Sequence, residues 1–375
     1  MRRNLSCADE FVEEHRKRRT RAEPSLASGR LNLSEPLRLT GSDRLLIVAP
    51  HPDDESIAAG GLLQIAKAAG AALRVLVLTD GDNNPWPQRW IEKRWRIDAA
   101  ARARWGARRR EEAEAALNLL GVARSDVRFL ALPDMGITDI LMRGDRAVMS
   151  AICDEASSFA PTTLVAPSLA DRHPDHSAAF ILATRACADA GCAFSKILTF
   201  AVHGAAPQEG GVVVELSDVQ RVVKYEAIRA HASQMRLSEK RFLKFAQTQE
   251  SYRWSPLPAA IDEQIPLRAT RKGGSLVVRI DALAWRGPLS SYSLFVVAGQ
   301  GDASVRRRIS LRIGKAPLID TVSDTQVGVA DVRSERRNVI VTIPNVPERG
   351  DGYVKVARAS PTFWVFDRFG WQPIG

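Results

Sequence analysis

Two short stretches concentrate the residues able to do chemistry: His51-Pro52-Asp53-Asp54-Glu55 and Asp171-Arg172-His173-Pro174-Asp175-His176. Together they hold three of the six histidines of the chain, each set among carboxylates. Imidazole nitrogen and carboxylate oxygen are favoured ligands of zinc, and a catalytic zinc takes three protein ligands while keeping a position for water. The metal brings that water's pKa down towards neutrality. A free carboxylate then removes the proton, and a further histidine stabilises or protonates the product side. The adjacency of Asp53 and Asp54 suits a division of labour, one as ligand and one as base. A lone His-Pro-Asp would be a turn with a helix cap. Two dense clusters of this kind, each beyond the end of a strand, read as an active site.

The elements that must position them alternate. LLIVAP (45–50), LRVLVLTD (73–80), VRFLALP (127–133), TTLVAPS (162–168), KILTFAV (196–202) and 213–216 are short apolar runs of buried-strand type. Helical patterns fall at 55–69, up to Leu120, at 145–159, 176–190, 218–232 and 238–249, with Gly70 and Gly121 as C-terminal stops. The alternation predicts an α/β fold, a Rossmann-like and mostly parallel sheet with helices on both faces. In such sheets ligands gather beyond the carboxyl ends of the strands, where both clusters fall. After the linker-like SPLPAA (255–260) the apolar period changes to two, which predicts a smaller all-β domain, a sandwich or small barrel. The expected organisation is a flexible basic arm over 1–40 with a short helix at 11–19, a catalytic domain over 41–252 and a β-rich accessory domain over 253–375.

PHPDDE followed far downstream by HPDH resembles the LmbE-like or PIG-L family of zinc-dependent N-acetylglucosaminyl deacetylases. Arg109-Arg110-Glu111-Glu112 leading to Leu120-Gly121-Val122, Leu132-Pro133-Asp134 and KYEAIRAHASQ (224–234) extend the resemblance over about 45–249. The resemblance implies that His51, Asp54 and His176 hold Zn2+ and that Asp53 is the general base. By the same token His173 polarises the amide carbonyl, Asp175 orients His173, and Arg109 and Asp134 contact the substrate's sugar or phosphate. The implied reaction is hydrolysis of the acetamide of an N-acetylated amino sugar, with release of acetate. One departure stands out: where relatives carry T-x-G-E, this chain has Thr79-Asp80-Gly81-Asp82. The shorter acid changes the reach of that loop.

The net charge of +10 is uneven: nine Lys or Arg lie between Arg89 and Arg110 against Glu92 and Asp98. This favours an anionic partner such as a sugar phosphate, a lipid phosphate or a membrane surface, with a solvated helix face as the plain alternative. No recognised nucleic-acid motif accompanies the charge. Four of the eight tryptophans, Trp86, Trp90, Trp95 and Trp105, interleave with these arginines. Trp86 and Trp90 are candidate substrate contacts in a lid; packing onto the body is the alternative. The four cysteines show no zinc-ribbon or redox spacing. The N-terminus lacks an apolar signal core, and no apolar run reaches the ~18 residues of a membrane span. The expectation is a cytoplasmic protein, in reach of peripheral membrane contact. Two other readings stay open: a zinc amidohydrolase on a non-sugar amide, and a silent glycan- or lipid-binding scaffold.

Overall fold

The aliphatic runs become the strands of a mixed sheet in the computed structural model, which describes residues 35–192, 196–204, 211–255, 266–285, 288–358 and 366–375. The basic arm up to residue 34, the short helix at 11–19, Cys7, linker residues 256–260 and residues 362–365 lie outside the described residues. The strands of this sheet are β1 (Glu35–Pro36), β2 (Arg44–Ala49), β3 (Ala72–Thr79), β4 (Val127–Leu132), β5 (Thr163–Pro167), β6 (Lys196–Phe200), β7 (Gly211–Glu215) and β8 (Gln249–Ser255). The helices are α1 (Asp54–Ala68), α2 (Pro85–Glu92), α3 (Ala99–Leu119), α4 (Ile137–Arg143), α5 (Arg146–Phe159), α6 (Pro174–Asp189), α7 (Asp218–Ala230) and α8 (Ala232–Leu243). The strand order is β1-β7-β8-β6-β5-β2-β3-β4. β2 pairs in parallel with both β3 and β5, as expected of fully buried strands joined by helices. β8 runs antiparallel between β6 and β7, which makes the sheet mixed.

Backbone contacts divide the chain into two compact units. The first takes in the described residues up to Asp134, Pro161–Ala166 and the described part of 194–255, and so holds this sheet with α1, α2, α3, α7 and α8. Its core is Leu45, Ile47, Leu62, Leu63, Val75, Val77, Leu117 and Tyr252 with their neighbours, all buried. A buried carboxylate ties three elements together there. Glu250 on β8 accepts from the amides of Gly61 (2.6 Å) and Leu62 (2.9 Å) on α1, from Lys224 Nζ on α7 (2.5 Å) and from the Tyr252 hydroxyl (2.7 Å). Gly61 lets Leu216 pack against α1, since a Cβ there would lie 2.6 Å from the Leu216 side chain.

The second unit, Met135–Ala160, Pro167–Ala193 and Pro256–Gly375, holds α4, α5, α6 and an antiparallel nine-stranded sheet. Its strands are β9 (Leu267–Lys272), β10 (Ser275–Asp281), β11 (Tyr292–Ala298), β12 (Val305–Ser310), β13 (Gly314–Asp320), β14 (Thr325–Glu335), β15 (Asn338–Pro344), β16 (Gly352–Arg358) and β17 (Gln372–Pro373). The order is β17-β16-β11-β12-β13-β14-β15-β10-β9. Its two ends meet: Ile374 bridges Ala269, and the Gly375 amide donates to Ala269 O at 3.0 Å. The all-β region is thus a closed, barrel-like sheet, the barrel of the two forms expected. Closure removes the exposed edges that an open sheet would present. Helix α4 is fastened to it, with Arg306 Nε donating to Leu141 O (2.9 Å) and Thr321 Oγ1 to Met142 O (2.5 Å). Those are carbonyls of the last helical turn, which lack partners within the helix. Among the described residues no helix is long and apolar enough to cross a membrane.

Candidate active site

His51 follows β2 directly, and α1 begins at Asp54, so the first motif is a strand-to-helix turn. Asp53 occupies the N-cap position at φ 147° and ψ −27° without capping the helix through its side chain. Such a backbone is strained for a residue bearing a Cβ, and surrounding bonds must hold it. Here the Asp53 amide donates to Glu55 Oε2 (3.0 Å), and Asp53 O accepts from the Ile57 amide (3.0 Å). The consequence is a side chain turned from capping to another task. Asp53 Oδ2 accepts from Arg109 at 2.8 Å, and the same guanidinium donates to Pro52 O and Gly81 O, both at 2.7 Å. Only glycine fits at 81, because a Cβ would fall 1.6 Å from Arg109 Nη1. Burial pushes the Asp53 carboxyl up to about 6, with Arg109 pulling down and neighbouring Asp54 pushing up.

His51 sits among carboxylates. Its amide donates to Asp54 Oδ2 (2.9 Å), its Nδ1 lies 3.2 Å from the same oxygen, and its Nε2 lies 3.3 Å from Asp134 Oδ1. Asp134 also accepts from the Asn83 amide at 2.8 Å. Burial pushes its carboxyl up, but the hydrogen bond and charge of His51, with Asn83 and Arg109, outweigh it and hold Asp134 at about 2. The donor chemistry fits a divalent metal at His51 and Asp54. Two ligand atoms about 2.0–2.2 Å from one tetrahedral ion stand roughly 3.3–3.5 Å apart, close to the 3.2 Å here.

The second motif leads from β5 into α6. His173 is the N-cap, and its Nδ1 accepts from the Asp175 amide at 3.3 Å. With Nδ1 accepting, the neutral ring carries its proton on Nε2. Asp171 accepts from the His173 amide at 2.9 Å and lies 3.2 Å from His176 Nδ1. A carboxylate at Nδ1 fixes the ring and leaves Nε2 as a ligand atom. The Asp175 carboxylate takes the amides of Met135 (2.7 Å) and Ile137 (3.0 Å) at the start of α4. His173 and His176 are neighbours, with ring centroids 4.8 Å apart.

The remaining expected residues are placed as follows. Arg109 and Asp134 meet Asp53 and His51 in the contacts above, a buried protein network around the first motif. Trp86 and Trp90, on α2, are 60% and 71% exposed. Arg89 lies 5.0 Å from the ring centres of both Trp86 and Trp95, while Trp105 is buried. In the departing loop Asp80 forms a two-pronged pair with Arg110, at 2.6 Å on each prong. Burial, with Asp134 nearby, pushes Asp82 up. Two residues of these motifs were given no role by the sequence reading. Asp171 holds His176, and Glu55, fully buried, bonds the Asp53 amide and lies 3.4 Å from His231 Nε2. Asp171 opens the very motif that was read from its histidines, so its type and place were the available signal. Nothing in the sequence tied His231 to Glu55.

Residues 46–187 match the family model described as PIG-L: GlcNAc-PI de-N-acetylase. No curated protein matches the sequence. Solved structures similar to this chain include the conserved protein TT1542 of Thermus thermophilus, 26% identical over 57% of this chain and 95% of that one, with a TM-score of 0.43. The N,N'-diacetylchitobiose deacetylase of Pyrococcus horikoshii is 21% identical over 60% and 89%, with a TM-score of 0.46. A zinc-inhibited form of the teicoplanin deacetylase Orf2 is 20% identical over 56% and 97%, with a TM-score of 0.45.

Proposed function

We propose, from the match of residues 46–187 to the PIG-L family model, that this chain is a metal-dependent hydrolase that removes the acetyl group of an N-acetylated amino sugar. The observation that carries the reading is Asp53, a buried carboxylate at about 6, strained out of a capping role and held by Arg109 beside His51 and Asp54. A base poised near neutrality is what water activation requires. His51, Asp54 and His176 are the proposed ligands, with zinc as the ion. When bound, it supplies Lewis acidity and lowers the pKa of water.

The residues of the chain then divide the work. Asp53 takes one proton from water, whose oxygen bonds to the acetamide carbon. His173, with its proton on Nε2, donates to the carbonyl oxygen as negative charge gathers there. The C–N bond breaks, and the proton held by Asp53 passes to the departing amine, leaving acetate and a free amino sugar. Arg109 steadies Asp53 through its three contacts. The exposed Trp86 and Trp90 stack on sugar, and the exposed basic residues after Arg89 meet an anionic group of the substrate.

The test is acetate release from a panel of N-acetylated sugars, sugar phosphates and nucleotide sugars. Activity that disappears with chelation and returns with zinc is expected. Release that survives full metal removal would overturn the reading.

A further inference from the structure

The last residues of the chain reach the second motif. Asp367 and Arg172 exchange two hydrogen bonds, from the Asp367 amide to Arg172 O (2.8 Å) and from Arg172 Nε to Asp367 O (3.2 Å). Gly370 lies so close to this loop that a Cβ would stand 1.9 Å from Leu169 O and 2.8 Å from Asp171 O. On the other side the segment is held to the barrel. Lys355, buried on β16, pairs with Asp367 Oδ2 at 2.5 Å, and its Nζ lies 5.8 Å from the ring centre of the buried Trp371. Arg368 Nε donates to Ala284 O at 3.0 Å, and Phe369 meets Trp285 edge-on.

These contacts already fasten the segment, and one side chain goes beyond them. Phe366 sets its ring edge-on to His173, with centroids 5.9 Å apart and planes at 74°, yet it remains 40% exposed. An aromatic ring this exposed adds little to a core and offers an apolar surface beside a polar histidine. A carbonyl oxygen hydrogen-bonded to His173 brings its own methyl group within roughly 4–5 Å of that ring nitrogen, from bond lengths and hydrogen-bond distances. Phe366, its ring centre 5.9 Å from that of His173, is within reach of a group so placed.

We propose that Phe366 is a substrate-contact residue, an apolar wall beside His173 that limits the size of the acyl group, and that the Lys355–Asp367 pair is its positioning device. This rests on the de-N-acetylase reading, in which His173 meets the acyl oxygen. The β-rich region is then part of the catalytic apparatus, and selectivity for acetyl is set by the end of the chain.

The experiment compares N-acetyl-, N-propionyl- and N-butyrylglucosamine with the full-length, zinc-loaded protein and its Phe366→Ala, Phe366→Leu and Phe366→Tyr variants. In Phe366→Ala the ratio of kcat/KM for propionyl over acetyl rises about tenfold, the scale of one methylene in an apolar pocket. Phe366→Tyr keeps the wild-type ratio, and Phe366→Leu falls between. Replacing the pair together, Lys355→Met with Asp367→Asn, moves the ratio in the same direction. A Phe366→Ala enzyme that releases acetate with an unchanged ratio overturns the wall and leaves the de-N-acetylase reading standing. A wild-type protein that releases acetate from no N-acetyl sugar overturns that reading instead. The wall is then read by saturation-transfer NMR with N-acetylglucosamine: transfer to the methyl group that weakens in Phe366→Ala supports it, and equal transfer or none in the wild type overturns it.

Discussion

A carboxylate that must take and return a proton needs to be buried enough to hold it and polar enough to release it. Asp53 meets both conditions, through burial that pushes its carboxyl up and Arg109 that pulls it down. Arg109→Met therefore leaves Asp53 without its cationic neighbour, and kcat is expected to fall by at least tenfold on the general scale of acid–base contributions. A steady-state assay reads this, with Arg109→Lys as the partly rescued control. Asp171 acts one step further out. Holding His176 Nδ1 at 3.2 Å, it prepares the proposed metal ligand without being one. Asp171→Asn should weaken zinc binding about 10- to 100-fold, the usual cost of losing such a partner. A competition titration against a chromogenic chelator measures it; unchanged affinity would remove Asp171 from the account. At this scale the sequence was legible where types cluster, in His51–Glu55 and Asp171–His176. It was silent where the partner is remote, as with Arg109 on Asp53 or His231 beside Glu55.

Elements carry the next level of reasoning. The parallel strands β2, β3 and β5 and helices α1, α5 and α6 were legible from their apolar patterns, and the ends of α1 and α3 from Gly70 and Gly121. Others were not, and three of them show why. β8 is written QESYRWS, too polar for an inner strand, and it works there because Glu250 meets Lys224, Tyr252 and two amides. α2 begins PWP, which reads as a loop, yet proline suits the first helical turn, and Asn84 Oδ1 accepts from the Trp86 amide as a cap. α4 has seven residues, and its starting amides are satisfied by Asp175, far along the chain. The Lys224–Glu250 pair gives a test. Lys224→Met leaves a buried carboxylate without its cation and should cost about 3–5 kcal/mol of stability. Urea unfolding measures this, with a lowered midpoint at unchanged m-value as the expected result.

Across the whole molecule the charge is the dominant feature, +10 with nine basic residues between Arg89 and Arg110. Of these, Arg109 and Arg110 face carboxylates of their own unit, and Lys93, Arg94, Arg96, Arg102, Arg104 and Arg108 are exposed. A surface of this kind attracts anions over a distance that salt shortens. With a phosphorylated amino-sugar substrate, kcat/KM is expected to fall several-fold between low and high ionic strength, while a neutral N-acetyl sugar shows little change. Equal salt responses would detach the basic stretch from substrate capture. The all-β region was legible from its two-residue period, but its closure was not, because the bridge of Ala269 to Ile374 joins the first and last strands of the sheet and leaves no local trace.

The most direct test of the central claim is acetate release by Asp53→Asn, measured beside the wild type with zinc content determined on both. The account predicts a variant that stays folded and metal-loaded while kcat falls by roughly 10²–10⁴, the range for loss of a general base. A zinc-loaded Asp53→Asn that releases acetate at the wild-type rate would contradict it.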